Sequence, residues 1–196
     1  MNQKITMPAI VKETSAGLVS YNIADEMLKN REIDCTGEVT AEQADALILQ
    51  LRYLQRENPG ETITIYINSP GGEVSAGLAL YDVIQAVSCP VRTVCVGLAA
   101  SMAAILFLCG KQRDILPHAR VMIHDPLVAG NINGSALRVE SISRDLMKVR
   151  EVMANIIAGH TGKRLDEVLA RTATDCYFDA EEAVEFGMAD RIIERI

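Results

Sequence analysis

Apolar positions along the chain follow two alternating rhythms, and the alternation itself predicts the fold class. Thr62–Asn68 (Thr-Ile-Thr-Ile-Tyr-Ile-Asn) places β-branched and aromatic residues at a period of two, the pattern of a strand, and Pro70-Gly71-Gly72 is expected to stop it. Before it, from about Thr40 to Gln55, residues Ala44, Leu47, Ile48, Leu51 and Leu54 share one helical face, and Glu57-Asn58-Pro59-Gly60 punctuates the end. After it the same logic repeats. A helix is predicted from about Ser75 to Ala86, a strand over Val91–Val96 closed by Gly97, a helix over Ala103–Cys109, a polar turn at Gly110–Asp114, and a short strand over Arg120–Ile123 that ends at His124. Upstream, a helical stretch near Tyr21–Asn30 leads into a strand near Arg31–Cys35. Strands alternating with helices imply crossover units, and so an α/β fold with a mainly parallel sheet. Residues 1–20 show no clear period and are expected to form a poorly fixed N-terminal arm.

The rhythm changes after His124. A long helix is predicted from about Ser135 to Ala158, following the polar stretch Gly130–Gly134. Its apolar residues Val139, Ile142, Leu146, Val149, Met153 and Ile156 step by 3, 4, 3, 4 and 3, the seam of a helix that packs against another helix. That seam serves either self-assembly or packing on the domain's own sheet. Near the C-terminus Asp179-Ala180-Glu181-Glu182 combines a carboxylate N-cap with an acid three residues on, so a short helix closed by Gly187 is expected, with a final strand over Ala189–Ile193.

At 196 residues a single domain with a sizeable core is the default. Charge removes several function classes. The formal net charge is −7, with Lys and Arg scattered, which argues against nucleic acid or an anionic membrane surface as partner. The first residues lack the apolar run of a signal peptide, and no stretch approaches the roughly 18 apolar residues of a membrane span. The five cysteines, Cys35, Cys89, Cys95, Cys109 and Cys176, have neither paired nor metal-ligand spacing, so neither a disulfide framework nor a zinc site is expected and a reducing compartment fits best.

Candidate chemistry gathers at predicted strand ends. Ser101 lies in Gly97-Leu98-Ala99-Ala100-Ser101-Met102-Ala103-Ala104, where small residues flank a serine between strand and helix. It is either a helix N-cap or a nucleophile on a tight turn beside free backbone N–H groups. Ser69-Pro70-Gly71-Gly72 ends the neighbouring strand, and its glycines can aim an N–H at a substrate without side-chain hindrance. Such loops at the carboxyl ends of adjacent strands are where an open α/β sheet binds ligands. Of the three histidines, His118 falls in a turn, His160 near the end of the long helix, and His124 at a strand end on the same sheet edge as Ser101, which makes it the best-placed base. A carboxylate should orient it, and Asp114, Asp125, Asp166, Asp175 and Asp179 all remain candidates.

Five blocks, in order, resemble the ClpP peptidases: Tyr66-Ile67-Asn68-Ser69-Pro70-Gly71-Gly72, Ala99-Ala100-Ser101-Met102-Ala103, Arg120-Val121-Met122-Ile123-His124, His160-Thr161-Gly162, and Glu181-Glu182-Ala183 with Gly187 and Asp190. The resemblance implies the ClpP/crotonase-type fold of repeated ββα-like units with a protruding handle helix. It divides the chain into an axial arm (1–20), a head (21–124 and 161–196) and a handle (125–160). It implies a Ser-His-Asp serine endopeptidase with Ser101 as nucleophile, His124 as base and Asp175 as orienting acid, the backbone N–H groups of Gly72 and Met102 as oxyanion hole, and no metal or cofactor. It further implies a cytoplasmic protein of heptameric rings stacked in pairs, fed with unfolded polypeptides by an AAA+ Clp-type unfoldase, with self-cleavage ahead of Pro8 as one option. A crotonase-like thioester enzyme is the alternative of a different class. Departures point to a specialised subunit. Ala173-Thr174 stand where relatives carry an Asp-Arg pair used between rings, and the segment from His124 to His160 is about two residues longer than usual. Thr64 and Ala86 replace aromatic docking residues, with Tyr66 retained, and Glu32 and Asp34 replace apolar ones. A mixed particle with a second ClpP paralogue is therefore an expected partner arrangement, as is a regulatory subunit silent by itself.

Overall fold

The structure is a computed structural model and describes residues 9–128, 130 and 133–196. It opens with an antiparallel hairpin, β1 (Ala9–Thr14) and β2 (Gly17–Asn22), followed by α1 (Ile23–Lys29). Where the sequence predicts a poorly fixed arm without a period, the structure has a paired hairpin from Ala9 onward, while residues 1–8, including Pro8, lie outside the described residues. The hairpin escapes a periodicity search because neither face is buried: Val11 is 62% and Leu18 76% exposed.

The body follows as β3 (Glu32–Val39), α2 (Ala41–Glu57), β4 (Ile63–Gly72), α3 (Val74–Ala86), β5 (Val91–Ala100), α4 (Met102–Leu108), β6 (Gln112–Ile115) and β7 (Arg120–Ile123). The long α5 (Ala136–Thr161), α6 (Leu165–Thr172), β8 (Cys176–Phe178), α7 (Ala180–Phe186) and β9 (Arg191–Ile192) complete it. Strands β3, β4, β5, β6 and β9 pair in that order, all in parallel, while β7 runs parallel to β5 and antiparallel to β8. A mixed α/β fold with a mainly parallel sheet is what the alternating pattern predicted. On one face Ile33, Cys35, Ile63, Ile65, Ile67, Val91 and Cys95 are buried together with Leu47, Leu51 and Leu54 of α2 and Leu80 and Ile84 of α3. Every residue of α4 is buried, as befits a helix without a charged residue.

Two strand ends differ from expectation. β4 continues through Pro70-Gly71-Gly72 because β3 accompanies it, Glu38 opposite Gly71 and Val39 opposite Gly72. β5 continues past Gly97 to Ala100 because it changes neighbours: Arg92–Cys95 pair with β6, and Leu98–Ala100 pair with β7. A ladder irregularity against β4 lies between these two stretches, and there the Asn68 side chain accepts from the Leu98 N–H at 3.1 Å. A Cβ on Gly97 would fall 2.6 Å from that Asn68 oxygen, so any side chain there would push Asn68 away from the Leu98 amide.

The turn expected at Gly110–Asp114 contains β6, and α6 and β8 were not anticipated. β6 was hidden by its polarity. Its Asp114 carboxylate is wholly enclosed and held by Arg92 at 2.6 Å, Gln112 at 2.8 Å and Arg191 at 2.9 Å, an ionic row across β5, β6 and β9. β8, with three residues, is too short to show a period. By contrast the C-terminal cap is as predicted: Asp179 accepts from the Glu182 N–H, Glu182 accepts from the Asp179 N–H, and Gly187 closes α7 at φ +88°. The long α5 is close to its expected bounds, capped by Ser135 and closed by Gly162 at φ +71°. Its first half is solvent-exposed, and it becomes buried only at Met153, Ala154 and Ile157. Among the described residues no helix is long and apolar enough to cross a membrane.

Burial opposes the charge of Asp114, but hydrogen bonds from Arg191, Gln112 and Arg92 outweigh it and hold its carboxyl below the ordinary value. An unfolded chain then binds more protons than the folded one, so this contribution is complete above about pH 4 and is lost as pH falls through the lowered folded value. Asp114→Asn is expected to cost about 1.5–3 kcal/mol in urea unfolding at pH 7. The gap between variant and parent should shrink as the titration is carried to about pH 3.

Candidate active site

The partner change in β5 brings two strand ends together. Ala100 lies opposite Met122 at the ends of β5 and β7, so Ser101 and His124 emerge side by side from one edge of the sheet. In the antiparallel pair, Ile123 lies opposite Cys176, so the residue after β7 and the residue before β8 face each other: His124 and Asp175. Register thus brings the backbone at positions 101, 124 and 175 to one edge of the sheet. The His124 Nε2 is 2.8 Å from Ser101 Oγ, and the His124 Nδ1 is 3.1 Å from Asp175 Oδ1.

Ser101 sits at φ +54°, ψ −121°, a region that costs a side-chain-bearing residue about 1–3 kcal/mol. Its amide is anchored, donating to the Met122 carbonyl at 2.8 Å. Although it occupies the N-cap of α4, its hydroxyl makes no capping bond and is directed to His124 instead. The backbone is strained to aim the oxygen out of the sheet edge, the geometry of a nucleophile elbow.

Gly71 and Gly72 form the opposite wall. Gly71 has φ +92°, and a Cβ on it would fall 2.6 Å from the Ala100 carbonyl oxygen and 2.8 Å from the Ser101 Cβ. A Cβ on Gly72 would fall 2.3 Å from the Val39 carbonyl oxygen. Met102 begins α4, and first-turn amides of a helix have no acceptor within it. Beside these groups lies a cleft of about 660 Å³ that includes Gly72, Ser101 and His124. Pro126, Leu127, Leu146 and Val149 contribute apolar lining, and Glu38 and Glu73 contribute acidic lining. Neither glutamate was singled out in the sequence, where nothing distinguishes them from surface acids.

A family model described as Clp protease matches residues 15–196, every element from β2 to β9. The chain belongs to the Clp protease family. As a Clp protease it is a ClpP-type peptidase, which in general terms makes it a serine peptidase. In this Clp protease the other carboxylate candidates are engaged elsewhere. Asp114 is enclosed in its ionic row, Asp125 meets Arg150 at 2.6 Å, Asp166 meets Arg164 at 2.7 Å on the surface, and Asp179 caps α7. The other two histidines are equally distant in role. His118 is exposed in its turn, and the His160 Nε2 lies 3.1 Å from the Tyr81 hydroxyl, with burial and then Arg113 lowering its pKa. All five thiols are free, and burial pushes Cys35 up to about 11 and Cys95 up to about 12, which suits packing rather than reaction. Among the described residues no three His, Cys, Asp or Glu side chains gather as a metal site would require.

Because Gly71 touches the serine backbone so closely, Gly71→Ala must displace Ser101 by several tenths of an ångström or more. Labelling by a fluorophosphonate probe is expected to slow about 100-fold. Gly60→Ala, whose Cβ would meet only the Asn58 side chain at 3.7 Å, should label at the parent rate.

Proposed function

We propose that this Clp protease is a serine endopeptidase in which Ser101 is the nucleophile, His124 the general base and acid, and Asp175 the carboxylate that orients the imidazole. The observation that carries this reading is the unbroken hydrogen-bonded chain from the Ser101 hydroxyl through both nitrogens of His124 to Asp175. With its Nδ1–H donated to Asp175, the ring presents Nε2 as acceptor for the serine proton. Ser101 Oγ attacks the peptide carbonyl as His124 takes its proton, and the proton is then returned to the leaving amine. Water, activated by the same imidazole, hydrolyses the acyl-enzyme and restores Ser101. The N–H groups of Gly72 and Met102 are the donors for the tetrahedral oxyanion. The apolar part of the cleft lining suits an uncharged aliphatic side chain next to the scissile bond. A crotonase-like reaction has no use for a serine held on a histidine at 2.8 Å, so that alternative is not favoured.

The chamber belongs to the same proposal. On α5 the side chains of Leu137, Val139, Met147 and Val152 are exposed, apolar surface on a helix that leaves the body, and this supports ring-to-ring packing through a handle. Unfolded polypeptides delivered by an AAA+ Clp-type unfoldase are the substrates.

A second reading, a divergent subunit that works fully only in a mixed particle with another ClpP paralogue, rests on two observations. Asp175 is 61% exposed in the single chain, so solvent competes for the carboxylate that should hold His124 until a neighbour covers it. Tyr66 is buried with its hydroxyl 3.2 Å from Glu32, so the retained aromatic of the docking face is already engaged within the chain.

Native mass measurement with a fluorogenic peptide assay, on the chain alone and mixed with a typical ClpP, tests both readings. Ring-sized particles with turnover that Ser101→Ala or His124→Ala lowers by about 10⁴-fold or more are expected. Asp175→Asn should cost about 10²–10⁴-fold through kcat. A chain that stays monomeric and inert under both conditions would sink the peptidase reading.

A further inference from the structure

Beyond the ends of β7 and β8, nothing in the sheet ladder fixes how far His124 lies from Asp175. The pairing stops at Ile123 opposite Cys176, and the carboxylate that must reach the ring is largely in solvent. A second tie closes this gap from outside the sheet. Asp125, the residue after His124, donates its backbone N–H to the Thr172 carbonyl at 2.7 Å. Its carboxylate accepts from Arg150 Nε at 2.6 Å, and the same guanidinium donates through Nη2 to the Leu169 carbonyl at 3.1 Å. Leu169 and Thr172 lie in α6, whose C-cap Ala173 stands two residues ahead of Asp175. One side chain on α5 therefore grips the segment that follows the base and the segment that precedes the acid.

We propose that Arg150 is a positioning residue of the active site: by clamping Asp125 to the end of α6 it sets the His124–Asp175 distance. The inference rests on the peptidase reading above. Three physical features carry it. The pair is only about a quarter exposed on each side, so solvent screens it less than a surface ion pair. The fork geometry of a guanidinium serves a carboxylate and a carbonyl at once, which a point charge cannot do. Asp125 Oδ1 is closed off from solvent and has no hydrogen-bond partner among the described residues, so the carboxylate depends on Arg150 to remain where it is. Without the guanidinium an enclosed, unpaired carboxylate must turn toward water and carry the backbone next to His124 with it. Neither Ala173 nor Thr174 carries a charge with which to tether that end in its place.

A structural salt bridge and a positioning residue differ in what their loss changes. Arg150→Ala is expected to lower kcat about 10- to 100-fold, with KM within about twofold, because the substrate cleft is intact while the base is misaligned. Arg150→Lys restores the ion pair without the Leu169 bond and should recover part of the loss. Asp125→Ala and Asp125→Ala/Arg150→Ala should match Arg150→Ala, since the two side chains act as one unit. Lys29→Ala, which removes a surface pair with Glu26 on α1, should keep parental kcat. A crystal structure of Arg150→Ala should show the His124–Asp175 contact opened from 3.1 Å to beyond hydrogen-bonding reach. A kcat within twofold of the parent, or an unchanged 3.1 Å contact in that structure, overturns the inference. A parent chain that neither hydrolyses peptides nor labels fails the peptidase reading instead, and the crystallographic measurement then decides the clamp by itself.

Discussion

β5 has to satisfy its backbone groups on both edges, and the way it does so governs the rest of the molecule. On one edge β4 serves its length, whereas on the other β6 serves the first half and β7 the second. An unpaired N–H or C=O buried at the exchange would cost free energy comparable to a lost hydrogen bond. The exchange is made affordable by Gly97, which lets Asn68 come close enough to bond the Leu98 amide. Without the exchange β5 would have no contact with β7, and His124 would not lie beside Ser101.

The strain at Ser101 follows from the same arrangement. A strand that ends against β7 and must at once begin the fully buried α4 turns within one residue, and that residue takes a left-handed φ. Packing of α4, which is apolar along its whole length, over-determines the conformation and absorbs its cost. The glycines opposite are required for a complementary reason, since any side chain on Gly71 would occupy the space of the Ala100 carbonyl and the Ser101 Cβ. The proposed nucleophile and oxyanion donors are thus held by rigid backbone. Asp175 is held by a short two-stranded pairing and, on our proposal, by one arginine from the long helix.

This difference in rigidity also bears on the proposed assembly. Ser101 and His124 are partly enclosed by their own chain, while Asp175 is open to solvent and the first half of α5 is largely exposed among the described residues. A second chain over these surfaces would exclude water from the carboxylate and bury the apolar side chains of α5 together. The charged row across the outer sheet face works the other way. Asp114, Arg92 and Arg191 satisfy one another, leaving that face less apolar than a docking groove for hydrophobic loops would be.

Elements with one buried and one open face were legible from residues alone: β4 with Ile63, Ile65 and Ile67 inward, α2 with its Leu47, Leu51 and Leu54 stripe, and α7 with its Asp179–Glu182 cap. Each of these signals is local, a period or a cap within a few residues. The hairpin, β6, α6 and β8 were not legible, because the first has no buried face, β6 hides its polar residues in ion pairs, and the other two are short. Ser101 and His124 stood out as the serine and histidine at strand ends, yet Asp175 was one of five carboxylates until a resemblance selected it. Sequence by itself determined the alternation of strand and helix, the glycines and the few residues able to do the chemistry. Tertiary structure decided which strand neighbours which, the register that sets His124 opposite Asp175, and the reach of Arg150 to both. Those depend on pairings between positions far apart in the chain, which no local pattern encodes.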